Sequence, residues 1–181
     1  MVYDGKIEGK FVYLKSADLE DAEFTLSLRQ NPMLTKYLPK LDISLEQQRA
    51  WILAQREKAG DYFFVAKTID DTPIGTVSVY GIEGDTSDSG RLALIGDPFQ
   101  NTEASLLLFR FAFDVLGLKQ VTGYIVDGNK RADRFNKQFG CITGKPEKDD
   151  KGVIIRRTLI TADSFHQAER KLRRLLYREE V

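Results

Sequence analysis

The chain has 181 residues, 42% of them hydrophobic and 30% charged, which suits one globular domain with a full core. Lysine plus arginine equals aspartate plus glutamate at 27 each, so net charge recommends neither nucleic acid nor an anionic membrane as a partner. A single cysteine (Cys141) and a single histidine (His166) exclude an internal disulfide and a cysteine-cluster metal site, and no metal is expected.

No apolar run approaches the roughly 20 residues that span a bilayer, and no signal-peptide core opens the sequence, so a cytoplasmic protein is expected. Lys10 to Lys15 reads as a first strand, followed by a helix from about Leu19 to Arg29 capped by Asp18. Asn31-Pro32 breaks it, Met33 to Leu38 suits a helical turn, and Pro39 closes that. Ser44-Leu45-Glu46-Gln47 has the form of a capping box, predicting a second helix to Ala59 with Trp51 and Ile52 among its anchors. Tyr62 to Thr68 and Ile74 to Ile82 are strands of a hairpin, Glu83 to Gly90 is polar and small-residue rich and reads as a loop, and Leu92 to Ile95 is the third strand of a meander.

Asn101 is a cap-type residue ahead of a nearly all-apolar helix from Thr102 to Leu116, which must be central because only Glu103, Arg110 and Asp114 give it a polar line. Val121 to Val126 is then a parallel neighbour in a βαβ unit. A short helix follows from Lys130 to Phe139. Cys141 to Thr143 and Gly152 to Ile160 are the last strands, joined by a hydrophilic loop from Lys145 to Lys151. Thr161 to Arg178 is an amphipathic helix. Its polar side carries Arg170, Lys171, Arg173, Arg174 and Arg178, a basic patch diluted by Glu169, Glu179 and Glu180, so docking on the domain or on a homodimer partner is favoured over nucleic acid. One α/β domain is expected over residues 1–161, with the terminal helix over 162–181. Ligands in open α/β sheets gather at the carboxyl ends of strands beside a helix N-terminus, here Gln100 to Ala104 and Asn129.

Thr102-Glu103-Ala104, the leucine-rich helix, Leu116-Gly117-Leu118, and Asn129-Lys130-Arg131-Ala132 with Arg134-Phe135 and Phe139-Gly140 together resemble the GCN5-related N-acetyltransferase (GNAT) superfamily. Arg29-Gln30-Asn31, Lys36-Tyr37 and Glu46-Gln47 with Trp51-Ile52 further resemble its subgroup of ribosomal-protein and amino-sugar N-acetyltransferases. The resemblance implies an α+β fold with a mixed, twisted sheet of about seven strands flanked by helices. It implies acetyl-coenzyme A as co-substrate and a small amine or a protein N-terminus as acceptor. An amide on the strand holding Leu94 and Ile95 would stabilise the oxyanion, and the pyrophosphate would rest on Gln100, Asn101, Thr102, Glu103 and Ala104. Asn129 would meet the pantetheine arm, or close a turn with Asp127 and Gly128, and Lys130, Arg131 and Arg134 would meet the adenosine phosphate or form a charged exposed helix face.

The chain departs from the family pattern. The usual Q/R-x-x-G-x-G/A loop is reduced to Pro98-Phe99-Gln100 running straight into Asn101-Thr102-Glu103, with no glycine, and the usual acidic tyrosine position falls on Asn136. Two readings stay open: an N-acetyltransferase, or a GNAT-shaped binding module without coenzyme A chemistry. Asp88, Glu83 and Asp127 are either bases acting through water or solvated loop carboxylates. Tyr80 and Tyr124 are either proton donors at a cleft or rim tyrosines.

Overall fold

Helices begin where a short polar side chain can cover amides that have no partner of their own. The computed structural model describes residues 1–38 and 41–178. Asp18 caps a 3-10 turn (Leu19–Asp21) that leads into α1 (Ala22–Gln30). Ser44 and Gln47 form a reciprocal box at the head of α2 (Leu45–Glu57).

Among the described residues eight strands form one sheet: β1 (Lys6–Glu8), β2 (Val12–Ser16), β3 (Tyr62–Thr68), β4 (Pro73–Glu83), β5 (Thr86–Leu94), β6 (Gln120–Val126), β7 (Ile142–Lys148) and β8 (Ile154–Thr161). Their order is β1-β2-β3-β4-β5-β6-β8-β7, antiparallel everywhere except between β5 and β6. That parallel pair needs a crossover, supplied by α3 (Pro98–Arg110) and its π-helical extension Phe111–Val115. The last helices are α4 (Lys130–Lys137) and α5 (Ala162–Tyr177).

Several boundaries differ from expectation. The stretch expected as a loop, Glu83 to Gly90, holds only a turn at Gly84 and Asp85, because β5 starts at Thr86 and pairs with β4. The central helix starts at Pro98 rather than Thr102, and Asp97 caps it rather than Asn101. β7 runs on to Lys148, which shortens the expected final loop. Pro39, Glu179 and Glu180 lie outside the described residues.

The core lies between the sheet and α3. Leu106, Leu108 and Phe111 of α3 and its extension pack with Phe64 of β3 and Val77 of β4, all essentially free of solvent contact. α5 closes this side, with Phe165, Leu172 and Leu176 buried and Phe165 against Phe109 and Phe113. α1 and α2 cover the opposite face, where Ala17, Phe63 and Val65 form a smaller apolar cluster.

One carboxylate lies inside the main core. Glu103 is 0% exposed and accepts from the N–H groups of Lys10 (2.8 Å), Phe11 (2.7 Å) and Val12 (2.9 Å). Gly9 lies so close that a Cβ there would sit 2.5 Å from the carboxyl carbon. Burial, then a hydrogen bond to Glu103, holds the Tyr177 hydroxyl protonated well above the ordinary tyrosine range. No helix among the described residues is long and apolar enough to cross a membrane.

Candidate active site

The sheet opens between its two parallel strands. β5 and β6 pair only at Thr86–Gln120, Ser87–Val121 and Asp88–Thr122, although β5 continues to Leu94 and β6 to Val126. β6 is held along its whole length by β8, so it cannot follow β5 as β5 turns away. The turn is a β-bulge. Ser78 lies opposite Gly90 and Thr76 opposite Ala93, so Arg91 and Leu92 together face Val77 alone. Arg91 takes a left-handed conformation (φ 49°), and its carbonyl accepts from the Thr76 hydroxyl at 2.7 Å.

The bulge also decides which amides face the opening. Ile95 donates its N–H to Ile74 at 2.8 Å, so it points into the sheet and away from the gap, contrary to expectation. Successive amides alternate along a strand, which turns the Leu94 N–H toward the gap instead.

The residues expected as proton carriers lie beside that opening. Register puts Tyr80 opposite Asp88 and Asp88 opposite Thr122, with Tyr124 next along the same face of β6. The Thr122 hydroxyl donates to the Asp88 carboxylate. A Cβ at Gly90 would lie 2.8 Å from the Tyr80 hydroxyl, so that hydroxyl sits over Gly90, just past the last β5–β6 pair. Burial raises the Tyr80 pKa, the Asp88 charge adds to the rise and Arg91 opposes it, which keeps the hydroxyl protonated at neutral pH. Glu83 is exposed at the β4–β5 turn, and Asp127 is bound by Arg156. Neither faces Tyr80.

A cavity of about 460 Å³ adjoins this wall, between α1, α2 and the sheet. Its floor is Arg91, whose guanidinium makes a bidentate pair with the buried Asp61 (2.6 and 2.9 Å) and lies between the rings of Trp51 and Tyr80. Burial favours protonation of Asp61, but hydrogen bonds and charge from Arg91 outweigh it and hold the carboxyl below its ordinary pKa. Thr25, Arg29, Gln48, Phe63 and Thr76 line it together with Leu41, Ile43 and Gln47, and no carboxylate is among the described lining residues. Sequence reading missed Asp61 and Arg91. The signal was Gly90 inside a strand, which marks a bulge, followed at once by a cation.

The front of α3 is already capped. Asp97 accepts from the Gln100 N–H at 2.9 Å through its carboxylate and from the Asn101 N–H at 2.9 Å through its carbonyl. Pro98 has no N–H to offer, and the amides of Thr102, Glu103 and Ala104 bond inside the helix. Thr102, Glu103 and Ala104 are buried. The five residues expected to hold a pyrophosphate therefore present no free amide, and Asp97 puts a negative charge where the anion would sit. At the far side of the gap Asn129 caps α4 by accepting from Ala132 at 3.1 Å, while Arg131 and Arg134 are exposed on that helix. Asn136 is half-buried on the same helix. The sheet is open beside Leu94, whereas the helix front does not fit a diphosphate.

A family model for the GNAT acetyltransferase domain matches residues 12–142. The chain belongs to this family. Among solved structures, GNAT members share its fold. Apo FdhC, a nucleotide-linked sugar GNAT, is 22% identical with a TM-score of 0.79, covering 96% of this chain and 99% of that one. A GCN5-related N-acetyltransferase from Brucella melitensis is 15% identical with a TM-score of 0.80, covering 96% and 86%. The spermidine N-acetyltransferase of Vibrio cholerae, solved with CoA and spermine, is 14% identical with a TM-score of 0.76, covering 86% and 98%. No curated protein sequence matches the GNAT chain described here.

Proposed function

We propose that this GNAT domain is an N-acetyltransferase moving acetyl from acetyl-coenzyme A directly to a primary amine. The observation that carries the proposal is the gap between β5 and β6, with the Leu94 N–H on one edge and Tyr80, Asp88 and Tyr124 gathered at its apex. The co-substrate supplies an activated thioester. Leu94 offers an oxyanion a backbone donor. Tyr80 holds a proton at its hydroxyl, Tyr124 stands next to Thr122 as a second hydroxyl, and Asp88, fixed by Thr122, can accept a proton from an amine directly or through water.

The cavity beside the wall is the acceptor pocket in this reading. A polyamine carries several ammonium groups and calls for carboxylates around it, whereas the described lining holds Arg29 and Arg91 and no acid. Trp51 adds an aromatic ring at the rim. Such walls suit an amine on a neutral or anionic body, such as a nucleotide-linked amino sugar, over a polyamine; a protein N-terminus with an acidic second residue also meets the charge requirement. A thiol-release assay over an amine panel tests this: a nucleotide-linked amino sugar should react at least about tenfold faster than spermidine. Thiol release with spermidine as the best acceptor overturns the pocket assignment.

The capped helix front specifically favours a second reading, a GNAT-shaped binding module without acyl transfer. Calorimetry showing no interaction with coenzyme A or acetyl-coenzyme A at millimolar concentration decides for the module.

A further inference from the structure

We propose that the acyl donor is recognised here through its pantetheine arm alone, with Asp97 excluding the coenzyme A diphosphate from the front of α3. The inference rests on the acyl-transfer reading in one respect, that a thioester enters the β5–β6 gap. Two observations carry it independently. The first is the cap itself: Asp97 and Gln100 exchange side-chain-to-backbone hydrogen bonds, each at 2.9 Å, so the Gln100 amide is taken and a carboxylate stands at the front of the helix.

The second is the packing of the only glycine in the connection. A Cβ at Gly96 would meet Gln100 Oε1 at 2.7 Å, Ile74 Cδ1 at 2.9 Å and Asn101 Oδ1 at 3.0 Å. The Asn101 amide is fixed in that sense because its Nδ2 donates to the Gly96 carbonyl at 2.7 Å, leaving Oδ1 buried without a partner. The connection is closely packed at Gly96, and both polar side-chain atoms facing it are acceptors, the wrong polarity for an anion. Arg131 and Arg134 stand on α4, on the other side of the gap from the front of α3.

Calorimetric titration of the full chain with coenzyme A and with pantetheine, at about 150 mM salt, reads this directly. Asparagine caps helices as well as aspartate does, so Asp97→Asn removes charge while keeping the helix start. The wild-type chain should bind the two ligands within about threefold of each other, and Asp97→Asn should tighten coenzyme A about tenfold with pantetheine unchanged, as expected for removing one like charge near a diphosphate. A wild-type preference for coenzyme A above about tenfold, or no change in Asp97→Asn, overturns the proposal while the acyl-transfer reading stands. Failure of both ligands to bind the wild type takes down both. Asp97→Ser, another capping residue, serves if the melting temperature of Asp97→Asn falls.

Discussion

Glu103 was expected at the donor site because it follows Thr102 in the family-like run, and the structure turns it the other way. Its carboxylate gathers three consecutive backbone amides where the β1–β2 turn enters β2, tying the first strands to α3, and it raises the pKa of Tyr177 on α5. Isosteric replacement tests this role cleanly. Glu103→Gln keeps the shape but sets an NH2 group against backbone donors, leaving a buried group unsatisfied. Loss of about 3 kcal/mol is expected, with a fall in melting temperature of roughly 10 °C by differential scanning calorimetry. Coenzyme A affinity, scored on the folded fraction, should stay at the wild-type value. A drop in affinity without a drop in stability would return Glu103 to the binding site.

Local chemistry made the first two helix starts readable, since Asp18 and Ser44 carry their signals within three residues. α3 was misplaced because Asn101 is also a cap-type residue; Asp97 with Pro98 at the first helical position and Gln100 at the third was the stronger signal. β5 was hidden for a different reason. Its first half, Thr86 to Gly90, is small and polar, and pairing with β4 on one side and β6 on the other overrides that weak strand propensity. The cavity beside Arg91 was equally hidden, because Asp61, Trp51 and Arg91 meet only through tertiary packing. Gly90 sits where these elements converge, under the Tyr80 hydroxyl. Gly90→Ala must push that hydroxyl aside, and Tyr80→Phe deletes it. Each should lower kcat by about tenfold to a hundredfold, and the double variant should be little worse than either single one, since both remove the same group. An unchanged kcat in Tyr80→Phe would place Tyr80 outside the reaction, and strictly multiplicative losses would mean that Gly90 acts other than through the Tyr80 hydroxyl.

The alternation of strand and helix made the overall architecture legible, but the buried charges that join distant parts of the chain have no periodicity to announce them. Asp21 meets Lys15 on β2 and Lys67 on β3, Glu103 joins β2 to α3 and α5, and Asp61 joins α2 to the bulge of β5. Asp61 also bears on pH. Its folded pKa is depressed, with Arg91 outweighing burial, so its contribution is fully present above the ordinary aspartate value near 4 and is lost as pH falls through the folded pKa below that. Urea unfolding followed from pH 7 to pH 2.5 should show the wild type losing more stability than Asp61→Asn over the acid part of that range. Asp61→Asn starts lower at neutral pH because Arg91 keeps only neutral partners, so its stability curve should be flatter and approach that of the wild type in acid. Parallel curves with a constant offset would mean that Asp61 packs against Arg91 without its charge mattering. The same curves bear on the proposed acceptor pocket, because the guanidinium that lines it is held in place by this carboxylate.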